Sequence, residues 1–111
     1  MGKGQPVASA LKIGDIQLNP QTREVSLAGR PVDLTSLEFE ILDYLMRSAG
    51  RVVSRDELST VLYQRQSTPY ERSLDVHISH LRKKLELEEK PMIRTVRGVG
   101  YLFAPLSEGA E

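Results

Sequence analysis

Arg72, Val76, Ser79, His80 and Lys83 share one side of the stretch Arg72-Ser73-Leu74-Asp75-Val76-His77-Ile78-Ser79-His80-Leu81-Arg82-Lys83-Lys84-Leu85 when it is wound as an α-helix. Leu74, Ile78, Leu81 and Leu85 occupy the other side, within about 60° of one another at 100° per residue. The first set offers cations, a hydroxyl, an imidazole and a small apolar side chain. In a DNA major groove, Arg72 or Lys83 could reach guanine acceptors and Val76 a thymine methyl group. His80 could donate to a base edge or a phosphate. Arg82 and Lys84 lie towards the flanks, where phosphate contact is more natural. The plainer reading is a solvated charged face carrying a few small residues, since one exposed valine is ordinary.

The second feature is Ile93-Arg94-Thr95-Val96-Arg97-Gly98-Val99-Gly100-Tyr101-Leu102-Phe103, a short β-hairpin marked by two glycines. Those glycines permit backbone angles that other residues resist. Arg97 at the rim could enter a narrow minor groove, where negative potential is enhanced; alone, it is equally a solvated loop arginine. The Gly-x-Gly lacks the spacing and strand–helix context of a dinucleotide site. Tyr101 and Phe103 are expected to pack the hairpin rather than stack on bases.

Other chemistry is poorly supported. His77 lies near the edge of the buried stripe, as a packing or hydrogen-bonding residue. Together with His80 it supplies only two ligands, and the chain has no cysteine and no third histidine, so no metal site is expected. No cofactor is implied. The carboxylates fall at helix starts, turns and solvated faces, with no third group completing a histidine constellation, so an enzyme is not expected.

The formal net charge of zero counts against nucleic-acid binding if taken alone. The charge is unevenly spread, however, with seven Lys or Arg against four Asp or Glu between Arg72 and Arg97. A local positive field of this kind suits a small specific binder. No apolar run approaches the roughly 20 residues that span a bilayer, and residues 1–6 lack a signal peptide's apolar core. With no disulfide framework either, a cytoplasmic setting and no membrane partner are expected.

The elements that must hold these two features are legible by pattern. At 111 residues the chain fits one domain. Leu11, Ile13, Ile16 and Leu18, then Glu24 to Leu27, alternate between turn signals at Gly14-Asp15, Asn19-Pro20 and Ala28-Gly29-Arg30-Pro31, predicting a three- or four-stranded antiparallel meander. Thr35 and Glu38 form a capping box that opens a broad apolar helix stopping at Gly50. Val52-Val53 could add a brief strand. Ser54 and Glu57 repeat the box spacing before a short helix through Leu58, Val61 and Leu62, and the polar residues from Gln64 to Thr68 predict a loop. Thr68-Pro69-Tyr70-Glu71 could begin the third helix before Arg72, running to about Glu88, with Pro91 beyond it. Sheet, three helices and hairpin make an α+β domain.

In order and spacing, four pieces resemble the winged-helix effector domain of OmpR/PhoB-type response regulators. They are Leu34-Thr35-x-x-Glu38-Phe39-x-Ile41-Leu42, the run from Gly50 to Leu58, the helix from Arg72 to Leu85, and Ile93-Arg94-Thr95-Val96-Arg97-Gly98-x-Gly100-Tyr101. The likeness covers about residues 11–106, and the stretch from Tyr63 to Ser73 is most similar to regulators of envelope stress. It implies a winged helix-turn-helix with an N-terminal four-stranded antiparallel sheet, three helices and a C-terminal β-hairpin wing. It also implies sequence-specific binding of double-stranded DNA for transcription regulation, as the output domain of a two-component system. On the matching positions, groove-facing candidates are Arg72, Val76, Ser79, His80 and Lys83. Phosphate candidates are Arg82, Thr95 and helix-end amides, and Arg97 is the wing residue for the minor groove. Many members carry Arg, Lys or Asn where this chain has His80.

The resemblance further implies direct-repeat half-sites bound head to tail, RNA polymerase as a partner of the polar stretch from Leu62 to Tyr70, and a phosphorylatable receiver domain in a longer protein. Residues 1–10 are then expected to be a flexible linker or added sequence, and residues 107–111 a flexible tail. The competing function is a protein-binding winged helix without direct base readout.

Overall fold

A computed structural model describes residues 10–66, 74–85 and 92–104. Four short strands come first: β1 (Leu11–Ile13), β2 (Ile16–Asn19), β3 (Glu24–Leu27) and β4 (Arg30–Val32). They pair antiparallel in sequential order, with Leu11 opposite Leu18 and Val25 opposite Val32. Alternation puts Ile16, Leu18 and Val25 in the core while Gln17 and Glu24 face outward. The predicted meander therefore has four strands.

Helix α1 (Ser36–Arg47) begins with the expected capping box. The Glu38 amide donates to Thr35 Oγ1 at 3.1 Å, and the Thr35 amide donates back to Glu38 Oε1 at 3.0 Å. Packed against β1, the two later helices and the C-terminal strand, α1 buries Leu37, Phe39, Ile41, Leu42, Leu45 and Met46. It ends at Arg47 with Ser48 as its C-cap, and the Gly50 amide then docks on the Phe103 carbonyl at 2.9 Å.

Strand β5 (Val52–Ser54) leads into α2 (Arg55–Gln66). Only half of the second predicted capping box forms. The Glu57 amide donates to Ser54 Oγ at 3.0 Å, but the Glu57 carboxylate accepts instead from Arg51, at 2.8 Å, and from the Tyr44 hydroxyl. α2 also runs further than expected: the residues from Gln64 to Gln66, predicted as loop, form its last turn. Arg65 explains this, because its guanidinium reaches Glu40 Oε1 at 2.9 Å and Asp43 Oδ2 at 3.0 Å on α1. A long-range ion pair thus decides a boundary that polarity alone placed earlier.

Helix α3 (Leu74–Lys84) follows, and a three-stranded sheet in the order β5-β7-β6 closes the domain, with β6 (Ile93–Val96) and β7 (Gly100–Phe103) forming the hairpin. Residues 67–73 and 86–91 lie outside the described residues, as do Arg72 and the helix ends expected before Leu74 and near Glu88. So do residues 1–9 and 105–111, including the whole tail expected at 107–111.

The Arg51 bond to Glu57, reinforced by Tyr44, holds the Glu57 carboxyl at about 2 instead of 4.5. A carboxyl depressed by folding stabilises the folded state fully above about pH 4.5, and that contribution is lost as pH falls through about 2. Glu57→Gln should therefore flatten the decline of stability across that window while changing its slope little above pH 6. Urea melts at successive pH values measure this; an unchanged acid slope would remove Glu57 from the account.

Candidate nucleic-acid interface

Leu74, Ile78, Leu81 and Leu85 turn inward on the α1 side and are at most 3% exposed. The opposite face of α3 is open. Val76 is 52% exposed, and Ser79, His80 and Lys83 are exposed beside it. Four of the five residues expected to face a groove are therefore together on one solvent-facing surface. The fifth, Arg72, lies outside the described residues. His77 is half-buried at the edge, where burial lowers its pKa.

The hairpin stands beside this helix because Arg82 holds it there. Its Nε donates to the Ile93 carbonyl at 2.9 Å and its Nη2 to Thr95 Oγ1 at 2.8 Å. The two side chains expected to touch phosphate, Arg82 and Thr95, are thus bonded to each other. A guanidinium has five N–H donors, so donors remain for an oxyanion after these two bonds. Lys84, expected on a flank suited to phosphate contact, is paired with Glu38 at 2.6 Å.

At the tip, Arg97, Gly98 and Val99 form a three-residue turn between Val96 and its register partner Gly100. Gly98 has φ +76° and the Val99 amide closes the turn on the Val96 carbonyl at 2.9 Å. Gly100 is needed for a different reason from the turn conformation that the sequence suggested. It lies so close to β5 that an added Cβ would meet the Val53 carbonyl oxygen at 2.0 Å. Arg97 is exposed, as is Arg94 on β6, and neither forms an ion pair with another described residue. Tyr101 and Phe103 are buried, as their packing role required.

A second brace joins the wing to the start of α3. Arg55 binds Asp75 through both guanidinium nitrogens, at 2.8 and 3.3 Å, and donates to the Tyr101 hydroxyl at 2.9 Å. The Arg55 amide reaches the Val99 carbonyl at 3.2 Å. The bond from Arg55 holds the Asp75 carboxyl below its ordinary value. An acid in the first turn also suits the positive end of the helix dipole. Asp75 is therefore neutralised locally instead of repelling an anion.

Sequence reasoning missed this brace and the charged cluster beneath α2. Glu40 and Asp43, both nearly buried, sit i, i+3 on α1 and are met by Arg65, while Arg23 reaches Glu40 at 2.7 Å and Arg47 reaches Asp43 at 2.8 Å. Arg23 also lies over the Phe39 ring, 4.5 Å from its centroid. The available signal was two acids set among α1's apolar positions; their partners lie 17 and 25 residues away from Glu40.

A helix-turn-helix whose third helix exposes a polar face next to a β-hairpin defines a winged helix. Among the described residues no group of three or more His, Cys, Asp or Glu is placed to hold a metal ion, and no helix is long and apolar enough to cross a membrane. Residues 29–103 match the family described as the C-terminal domain of transcriptional regulatory proteins. The chain belongs to that family, as an OmpR/PhoB-type C-terminal effector domain.

Among similar proteins, the transcriptional regulatory protein TrcR of Mycobacterium tuberculosis is 41% identical over 101 residues, covering 91% of this chain and 39% of TrcR. The DNA-binding domain of Escherichia coli CpxR superposes with a TM-score of 0.76 at 37% identity, covering 88% of this chain and 98% of that one. The DNA-binding domain of Klebsiella pneumoniae RstA, solved in complex with the RstA box, gives a TM-score of 0.74 at 39% identity, covering 87% and 98%. The chain spans only about two-fifths of the length of curated relatives such as TrcR and full-length CpxR.

Proposed function

We propose that this chain binds duplex DNA sequence-specifically to regulate transcription, as the output domain of a two-component response regulator in the cytoplasm. The observation that carries the reading is the open face of α3 bearing Val76, Ser79, His80 and Lys83, braced beside a hairpin with Arg97 at its tip. In this arrangement α3 enters the major groove and Arg97 reaches the neighbouring minor groove, with Arg72 a further groove candidate from the sequence alone. Arg82 and Thr95 contact phosphate. No step of this reading requires a cofactor or bond-making chemistry.

The solved complex of RstA with its box supports the same mode of binding here. A receiver domain elsewhere in a longer protein would supply control and most of the dimerisation, with two copies on direct-repeat half-sites. RNA polymerase would meet the region around residues 62–70. Its first part, Leu62 to Gln66, is helical, with Leu62 fully buried, so the exposed contact must come from other positions.

Selection of duplexes from a random pool, at two salt concentrations, tests the reading. An enriched motif whose affinity falls as salt rises is expected; no enrichment at low salt would favour a protein-binding domain. Val76→Ala should then alter base preference by about 1 kcal/mol at one position, the scale of losing a buried methyl contact, with little change in thermal stability. Equal loss of folding and binding would make Val76 structural.

A further inference from the structure

We propose that His80 reads its base as a hydrogen-bond acceptor, so that each half-site carries adenine or cytosine where an arginine at this position would select guanine. The inference rests on the DNA-binding reading above and adds the identity of one base. Its origin is Glu38, whose side chain is 2% exposed yet carries a carboxylate against α3. Burial opposes its ionisation, but Lys84 and Thr35 outweigh that and hold its pKa below the ordinary value.

The two carboxylate oxygens are used differently. Oε1 accepts from the Thr35 amide at 3.0 Å and from Lys84 Nζ at 2.6 Å. Oε2 accepts neither bond and is turned towards Nδ1 of His80, 3.9 Å away. A negative carboxylate oxygen facing one ring nitrogen favours the proton on that nitrogen over the far one. An ionised carboxylate only accepts, and a neutral imidazole has one N–H and one bare nitrogen. With its proton on Nδ1, His80 has a bare Nε2, while 55% of the side chain remains open to solvent on the α3 face.

A bare Nε2 cannot bond the O6 and N7 acceptors of guanine. It matches the amino groups that adenine and cytosine present in the major groove. Glu38 is therefore a positioning residue for readout, reaching the base only through the ring of His80.

Two measurements test this on the full chain. Nitrogen-15 NMR of His80 at about pH 9 should show the Nδ1–H tautomer; the Nε2–H tautomer as the major form would overturn the proposal. In duplex selection, wild type should prefer adenine or cytosine by about tenfold at one position per half-site. His80→Ala should flatten that position alone, and His80→Arg should turn it to guanine. A wild-type preference for guanine there, or a motif indifferent to His80→Ala, would overturn this inference and leave DNA binding intact. A wild type that enriches no motif would sink both.

Discussion

Gly100→Ala should melt the domain at least roughly 12 °C below the parent, a loss of about 3 kcal/mol or more. The added methyl would sit 2.0 Å from the Val53 carbonyl oxygen, 2.7 Å from Ser54 Cα and 2.9 Å from the Val53 carbonyl carbon. All three are backbone atoms of β5, so no side-chain rotation relieves the clash. β7 is also the central strand of its sheet, and moving it disturbs its pairing with both β5 and β6. Gly98→Ala provides the contrast. Nothing lies within 4 Å of its Cβ position, and only the positive φ opposes substitution, at about 1 kcal/mol. Thermal denaturation by circular dichroism compares the two. Equal shifts would mean that the turn conformation, and not the approach of β7 to β5, governs this hairpin.

Arg82→Ala should weaken duplex binding by roughly 10- to 100-fold at fixed salt, in line with about 1.5–3 kcal/mol for hydrogen bonds to a charged group. Its two bonds to the wing, at Ile93 and Thr95, link the reading helix to the strand that leads into the Arg97 turn. Losing them frees the wing to drift, so Arg97 delivers less even though it is untouched. A double-mutant cycle with Arg97→Ala isolates this effect. We expect Arg97→Ala to cost less in the Arg82→Ala background than in the parent, with a coupling of about 0.5–3 kcal/mol. Thr95→Val removes one acceptor and keeps the charge, and should reproduce part of the loss. Additive effects of Arg82→Ala and Arg97→Ala would identify Arg82 as an independent phosphate contact with no part in placing the wing.

Most of the architecture was visible in residue patterns because it depends on short-range chemistry. Alternation marked the strands from Leu11 to Leu27, and the Thr35–Glu38 box opened α1. The leucine stripe of α3 separated its buried side from the side bearing Val76, Ser79 and His80. Where pattern reading failed, the deciding partner was distant in sequence. The end of α2 extends through Gln66 with Arg65 bound to two acids of α1, and the Glu57 carboxylate leaves its cap for Arg51 and Tyr44. Lys84 also pairs with Glu38, because the two helices meet at that turn.

By itself the sequence determined the antiparallel meander, the Thr35–Glu38 cap, the inward stripe of α3 and the list of polar groups opposite it. These follow from backbone periodicity and from contacts within a few residues. Only the tertiary structure decided how that list is arranged: Arg82 spent partly on the wing, Asp75 neutralised by Arg55, and one oxygen of Glu38 turned to His80. Each of those pairings joins side chains from separate elements. Their distances depend on how helices and sheets pack, which no local periodicity encodes.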